Sequence, residues 1–267
     1  MPVGVLMSVF ERDTPAQFER ALESIWQQDY RGGPVHLYLC VDGPLRPETD
    51  AVLEKQAARI HRILRNTINQ GLARSLNRLL DVLGDEEFVF RMDSDDFSHA
   101  HRISAQVAAL QARPGVDILG AAIREVDASG TVLRTVRYPA GGDEVRRLIP
   151  HRNPLAHPTV CFRRSAIEGF VHYPDVPVNQ DWALWYECLA LGLGISSLDE
   201  VLVDMTVSED FFRRRGAGRA IDEFRISCRG IRRLYGWSWR YVYPAMRLLF
   251  RLLPQPLIQR AYRSRLR

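Results

Sequence analysis

The chain has 267 residues, 46% hydrophobic and 25% charged, enough to close one large α/β domain, or one domain with a small appendage, without covalent staples. Its four cysteines, Cys40, Cys161, Cys188 and Cys228, are far apart and sit mostly in apolar stretches, which excludes a disulfide framework and zinc-ligand spacing and points to buried thiols in a reducing compartment. The net charge of +4 divides sharply: residues 1–210 carry 21 Lys and Arg against 30 Asp and Glu, whereas residues 211–267 carry 15 Arg against 2 acids, so attraction to an anionic partner belongs to the tail.

In chain order, Val3 to Phe10 reads as a buried strand. No basic region precedes it, and no later apolar stretch reaches the ~20 residues of a spanning helix; neither secretion nor a membrane span is expected, and the location predicted is cytoplasmic. Phe18, Ala21, Leu22, Ile25 and Trp26 follow with helical spacing behind Thr14 and Pro15, which suit the N-cap and first helical positions. Val35 to Val41 is a second strand, stopped at Asp42-Gly43-Pro44. A helical stretch around Pro47 to Ala58, a strand near Ile60 to Leu64, a helix carrying Leu72, Leu76, Leu79, Leu80 and Leu83, and a strand from Phe88 to Met92 complete the alternation. That order implies an α/β fold with a mostly parallel sheet flanked by helices and ligands beyond the C-terminal ends of its strands. At those ends stand Glu11, Asp42, Asn69-Gln70-Gly71 and Asp93-Ser94-Asp95-Asp96.

After residue 98 strict alternation ends. A helix with Ile103, Val107 and Leu110 leads to a hairpin, Val116 to Val126 and Thr131 to Tyr138, around an Asp-Ala-Ser-Gly turn. His157-Pro158-Thr159-Val160 opens a short strand, and Asp181 opens a helix with Trp182, Trp185, Cys188 and Leu189 on one face. From about residue 209 the arginine-rich tail begins. In it Arg247 and Arg251, four apart, share a face of a helix otherwise built from Met246, Leu248, Leu249, Phe250, Leu252 and Leu253. Such a helix either lies on an anionic membrane surface or packs on the core with its arginines in water. It has no zinc, helix-turn-helix or RNP signature, and no nucleic-acid partner is expected.

Three carboxylates in the four residues 93–96 repel one another unless a cation lies between them, and Mg²⁺ or Mn²⁺ suits one or two carboxylates completed by diphosphate oxygens. The same segment also reads as a solvated loop capping the next helix. Asp181 is either that helix's N-cap or a general base for a hydroxyl. His157 reads as a packing or hydrogen-bonding residue behind the site. Glu11, Asp42 and Asn69 each suit turns and caps; their interest is their convergence on the same strand ends.

The series Asp42-Gly43, Asn69-x-Gly71-Leu72 with Asn77, Asp93-x-Asp95-Asp96, His157-Pro158-Thr159-Val160 and Gln180-Asp181-Trp182-x-Leu184-Trp185 resembles the family 2 glycosyltransferases of GT-A fold. Met7-Ser8-Val9-Phe10, Arg214-Arg215-Gly216, Leu252-Leu253-Pro254, Tyr262 and Arg267 extend the likeness to the exopolysaccharide branch that includes the amylovoran biosynthesis enzymes. The resemblance implies a metal-dependent inverting transfer of a sugar, from a UDP-sugar or another nucleotide diphosphate donor, to a sugar or lipid-linked saccharide acceptor. It implies Asp95 as metal ligand, Glu11, Asp42, Asn69 and Asp93 on the nucleotide sugar, and Asp181 as catalytic base. Gln180 stands where the pattern's first acid would be, and Val41-Asp42 offers one carboxylate where relatives often have two. The implied organisation is a GT-A domain over residues 1–208, with a nucleotide-sugar half (1–98) and an acceptor half (99–208), followed by a helical tail over 209–267 and peripheral attachment to the inner face of the membrane. A non-catalytic nucleotide-sugar binder and a sugar nucleotidyltransferase are the alternatives. The latter normally needs a glycine-rich phosphate loop that Phe10-Glu11-Arg12-Asp13 does not provide.

Overall fold

Alternation of apolar side chains builds a sheet covered on both faces. Strands β1 (Val3–Val9), β2 (Val35–Asp42), β3 (Arg62–Asn66) and β4 (Phe88–Asp93) run parallel in the order β3-β2-β1-β4. Val3, Val5, Met7 and Val9 turn to one face and Leu6 to the other, all buried. This near-continuous burial is what parallel strands between two helical layers require. Helix α1 (Pro15–Trp26) covers the first face with Phe18, Leu22 and Ile25, and α3 (Leu72–Leu80) covers the second with Leu76 and Leu79. Thr14 caps α1, its hydroxyl accepting from the Gln17 amide at 3.4 Å, with Pro15 in the first turn, as predicted. Helix α2 (Pro47–Gln56) lies outside α1.

The computed structural model describes residues 1–168, 172–207 and 217–252. Past β4 come the two-residue β5 (Phe97–Ser98), α4 (Arg102–Ala112), the hairpin β6 (Ile118–Val126) and β7 (Val132–Val136), α5 (Gly142–Leu148), β8 (Cys161–Arg163), α6 (Arg164–Ile167), α7 (Gln180–Ala190) and β9 (Ile195–Thr206). They extend the sheet as β4-β8-β6-β9-β5, with β8 antiparallel to β4 and β6, and β9 parallel to β6. The strand expected to open at His157 begins only at Cys161; residues 157–159 form a 3₁₀ turn. Pro158 has no amide for a ladder, and the Thr159 hydroxyl is engaged instead with the Ala121 amide (3.0 Å) and the Ala156 carbonyl (2.7 Å).

Helix α8 (Ala217–Tyr235) docks on α7 and carries α9 (Val242–Leu252) with it. Gly230 permits the approach: a Cβ there would stand 2.3 Å from the Tyr186 ring. Ile231 is fully buried in the cluster that holds Trp182, Trp185 and Tyr186, with Leu234, Tyr235 and Tyr241 packed against it. The described part of the basic tail is thus continuous with the domain's core. The expectations placed on Arg214, Arg215, Gly216 and residues 253–267 lie outside the described residues.

Candidate active site

Strand β4 brings Asp93 to the C-terminal edge of the parallel strands, and the turn Ser94-Asp95-Asp96 follows. Neighbouring elements lock that turn. The Ser94 hydroxyl donates to Asp13 Oδ2 (2.7 Å), which also accepts from the Phe10 amide (2.9 Å). The Thr206 amide at the end of β9 donates to Asp96 Oδ1 (2.9 Å), and its hydroxyl to the Asp95 carbonyl (2.6 Å). Carboxylate oxygens of Asp93, Asp95 and Asp96 lie within 4.8 Å of one another. Burial, reinforced by the charges of Asp93 and Asp13, pushes Asp95 up to about 7. Asp13 is pushed up to about 6, chiefly by burial, and Asp96 well above its ordinary value by burial and then by Asp93 and Asp95. Asp96 Oδ2 is buried without a hydrogen-bond partner among the described residues. A hard oxygen donor set, mutual repulsion and a buried unpartnered oxygen together fit a divalent cation.

Arg91, two residues before Asp93, is 1% exposed. Its Nη2 donates to Asp93, while Nε and Nη1 find no hydrogen-bond partner among the described residues. Burial works against this charge, but Asp93 beside it and Asp96 beyond hold it above its ordinary pKa. Arg102 Nη2 donates to the Arg91 carbonyl (2.7 Å), and Gln106, which accepts from Arg102 Nε (3.1 Å), donates to the Leu119 and Thr159 carbonyls. A buried polar frame therefore fixes this part of β4 from α4.

Asp181 lies in the first turn of α7, one residue inside a start whose N-cap is Asn179 in the left-handed conformation, φ 50°, with no side-chain capping bond. Asp181 is therefore not the N-cap. Its Oδ2 accepts from Asn153 Nδ2, and the Trp182 amide also bonds the carboxylate. Burial nevertheless raises its pKa above the ordinary value, against these hydrogen bonds and the attraction of Arg91.

These groups wall one crevice with two lobes, of about 620 and 560 Å³. Asp13, Asp42, Asn69 and Asp95 line the first, and Arg91, Asn153, His157 and Asp181 the second; Leu72, Asp93, Asn179, Gln180 and Arg219 border both. Asp42 is buried and braces the wall, accepting from Asn66 Nδ2 and from the amides of Gln70 and Gly71, each at 2.8 Å. Asn69 is exposed on that same loop. The loop requires glycine at position 43, where φ is +89° and a Cβ would sit 2.7 Å from the Asn69 amide nitrogen. Glu11 is not brought to the crevice: it is exposed on the turn after β1, and Asp13 takes the inward place. A turn reverses direction, so the first acid after a strand need not be the one that faces in. His157, at the wall of the second lobe, is buried and bonded to the Tyr173 hydroxyl at 2.8 Å, with burial and Arg91 driving its pKa well down. Asn77 clamps the Tyr173 backbone, with Nδ2 donating to the carbonyl (2.9 Å) and Oδ1 accepting from the amide (2.7 Å).

Sequence reasoning passed over Arg91, Asp13 and Asn153. Arg91 had a signal, a charge within Phe88-Val89-Phe90-Arg91-Met92, where a strand buried on both faces gives a cation nowhere to go but toward an acid.

The family model described as Glycosyl transferase family 2 matches residues 5–170. The chain is 27% identical over 262 residues to an amylovoran biosynthesis glycosyltransferase of Erwinia amylovora, covering 97% of each chain. It is 26% identical over 255 residues to a UDP-Gal:alpha-D-GlcNAc-diphosphoundecaprenol beta-1,3-galactosyltransferase of Escherichia coli, covering 94% of this chain and 91% of that one. The fold matches a mannosyltransferase from Pyrobaculum calidifontis, solved with GDP-Man and Mn²⁺, with a TM-score of 0.64 at 16% identity over 99% of this chain and 79% of that one.

Proposed function

The chain belongs to glycosyl transferase family 2, and from that premise we propose that it moves a hexose, with inversion, from a nucleoside diphosphate donor to a hydroxyl of a lipid-linked saccharide during assembly of a surface polysaccharide. One observation carries the reading. The half-buried carboxylate of Asp181 and the acids Asp93 and Asp95 of the turn wall the same crevice, with the Arg91 guanidinium bonded to Asp93 and attracting Asp181. The relative that acts on a diphosphoundecaprenol-linked sugar supports the acceptor class, UDP as its donor nucleotide, and the neighbour solved with Mn²⁺ supports the metal.

In this reading the nucleoside occupies the lobe walled by Asp42 and Asn69, and its diphosphate reaches the acid turn. Asp95, with Asp93 and Asp96, would hold Mg²⁺ or Mn²⁺, which when bound supplies Lewis-acid neutralisation of the departing diphosphate. The acceptor enters the second lobe. Asp181 takes the proton of its hydroxyl as that oxygen bonds to the sugar C1, and the C1–O bond to the diphosphate breaks on the opposite face. The proton ends on Asp181 and the negative charge on the nucleoside diphosphate. Arg91 offsets Asp93 and keeps the path between the two lobes from being uniformly anionic. Asn153 aims the Asp181 carboxylate.

Attachment of the protein to the inner face of the membrane is supported by the outer surface of the tail. Trp237 (85% exposed), Trp239, Val242, Met246 and Leu249 all reach solvent there. No described helix is long and apolar enough to cross a membrane, so the contact proposed is with the surface of the bilayer.

The test is release of free nucleoside diphosphate from UDP-, GDP- and dTDP-sugars with lipid-linked acceptor extracts, in Mn²⁺ or EDTA. Release that needs metal and disappears in both Asp95→Ala and Asp181→Ala, while Asp181→Ala still binds donor, is the expected result. Calorimetric donor binding without release under any condition would make the protein a nucleotide-sugar binder instead.

A further inference from the structure

We propose that the second lobe carries its own anion subsite, built from Arg247 and Arg251 of α9 and completed by Arg219 of α8, which holds the diphosphate of the acceptor rather than that of the donor. The inference rests on the reading of the acceptor as a lipid-linked saccharide and adds where its charged linkage is held.

The three arginines line the lobe that contains Asp181. The acid paired with them among the described residues is Glu223, 6% exposed, which accepts from Arg251 Nη1 at 2.8 Å and lies 3.7 Å from Arg219 Nε. Among the described residues, Arg91, Arg152, Arg219, Arg247 and Arg251 line this lobe against Asp93, Asp181 and Glu223, which leaves positive charge unmatched. Arg247 shows it most clearly: its carbon Cζ lies 4.8 Å from the Trp182 ring centroid, and Nη1 is buried without a hydrogen-bond partner among the described residues. Burial, with Arg251 nearby, works against that charge. A guanidinium held over an indole at the wall of the lobe, with an N–H left without a partner among the described residues, suits a planar or tetrahedral oxyanion, and a phosphate ester offers the acceptor it lacks.

The placement separates this subsite from that of the donor. Arg247 and Arg251 line only the lobe with Asp181 and Asp95 lines only the other, while Asp93 and Arg219 border both. The geometry of α9 gives the ligand its second property. Arg247 and Arg251 face the lobe, whereas Met246 and Leu249, their neighbours in sequence, are 63% and 66% exposed on the outer side. The helix is thus a partition between the crevice and an apolar outer surface. A molecule with a sugar hydroxyl at Asp181, a diphosphate at Arg247 and a hydrocarbon chain leaving past Met246 and Leu249 matches it end to end. A free nucleotide has nothing to place on the apolar side.

The test uses full-length protein in EDTA with decyl diphosphate as probe, and decyl maltoside as an uncharged probe of similar chain length. Calorimetry should show decyl diphosphate binding at least tenfold more tightly than decyl maltoside. Arg247→Gln should weaken the diphosphate at least tenfold, Arg247→Lys should recover part of the loss, and Arg134→Gln on β7, an exposed arginine paired with Glu125 and lining neither lobe, should change nothing. Matching thermal melts guard against a folding artefact, and UDP binding in Mn²⁺ should be the same in wild type and Arg247→Gln. Equal affinity for the two probes, or for wild type and Arg247→Gln, would overturn the proposal. A parallel loss of UDP affinity would assign the arginines to the donor, and a loss confined to phosphatidylglycerol vesicles would assign them to lipid headgroups; either also overturns it. Because the readout needs no turnover, a protein that binds decyl diphosphate as predicted yet transfers no sugar would refute the transferase reading alone.

Discussion

Asp181 is held under opposed influences. Burial favours its neutral form, while the Asn153 amide, the Trp182 backbone amide and Arg91 favour the carboxylate, and burial prevails. In the proposed role of base, a raised pKa would make Asp181 grip the acceptor proton more firmly than an exposed aspartate. The sign for stability follows from the same shift. The folded protein binds this proton more tightly than the unfolded chain, so ionised Asp181 destabilises the fold above its raised pKa, and that penalty is relieved as pH falls through it. Asp181→Asn should therefore raise the melting temperature at pH 8 while lowering kcat roughly 10²–10⁴-fold with donor affinity intact. The acidic limb of kcat/KM against pH should lie above the ordinary carboxylate range in wild type. A melting temperature lowered by the substitution would show that the carboxylate is a structural cap after all. Asp181 was legible because an acid at a helix start stands out. Its partner Asn153 was not, since an Arg-Asn-Pro loop 28 residues upstream carries no periodicity to mark it.

At the scale of elements, the parallel strands and their helices could be read from alternation and 3.6-residue spacing, and each expected strand from β1 to β4 is present. The orientation of the tail could not be. Arg247 and Arg251 share a helix face in any reading, but only packing decides whether that face looks to water or to the crevice, and here it is fixed by α8 lying against α7. Gly230 sets that contact, because no other residue lets the helix approach the Tyr186 ring so closely. Gly230→Ala should be destabilising by about 1–3 kcal/mol through overpacking. It should also reduce transfer more than donor binding, since the displaced helices carry the wall of the lobe that holds Asp181, the lobe proposed for the acceptor; a variant with wild-type melting and activity would argue that α8 is not held this way. The outer face of α9 has its own test. Met246→Glu combined with Leu249→Glu removes two apolar groups, each worth about 1.5–3 kcal/mol when fully buried, and should abolish co-sedimentation with phosphatidylglycerol vesicles while leaving donor binding unchanged. Undiminished sedimentation would place the membrane contact elsewhere.

Across the whole molecule, the division of charge seen in the sequence becomes a gradient across the crevice, with Asp13 and Asp95 walling one lobe, Arg247 and Arg251 of α9 the other, and Asp93 and Arg219 of α8 bordering both. The arginine-rich tail does not neutralise the acids directly: among the described residues Asp95 and Asp96 have no arginine ion pair, and burial, then the charge of neighbouring acids, raises their pKa values against the attraction of Arg91. In metal-free protein, Asp13 near 6 and Asp95 near 7 hold protons that the unfolded chain has already released. Their ionisation therefore lowers stability as pH rises through those values, and a cation among the carboxylates reverses the sign by making the ionised form the favoured one. The melting temperature in EDTA should accordingly decline between pH 6 and pH 8, and Mn²⁺ should remove the decline. Mn²⁺ at a hundred times its dissociation constant adds about 2.7 kcal/mol, or roughly 5–10 °C for a chain of this size, and the gain should be larger at pH 8 than at pH 6 because protons no longer compete for the same oxygens. Asp95→Asn should flatten the metal-free profile and shrink the Mn²⁺ shift together. If the Mn²⁺ shift were the same at both pH values, or survived Asp95→Asn, the cation would be bound somewhere other than this turn.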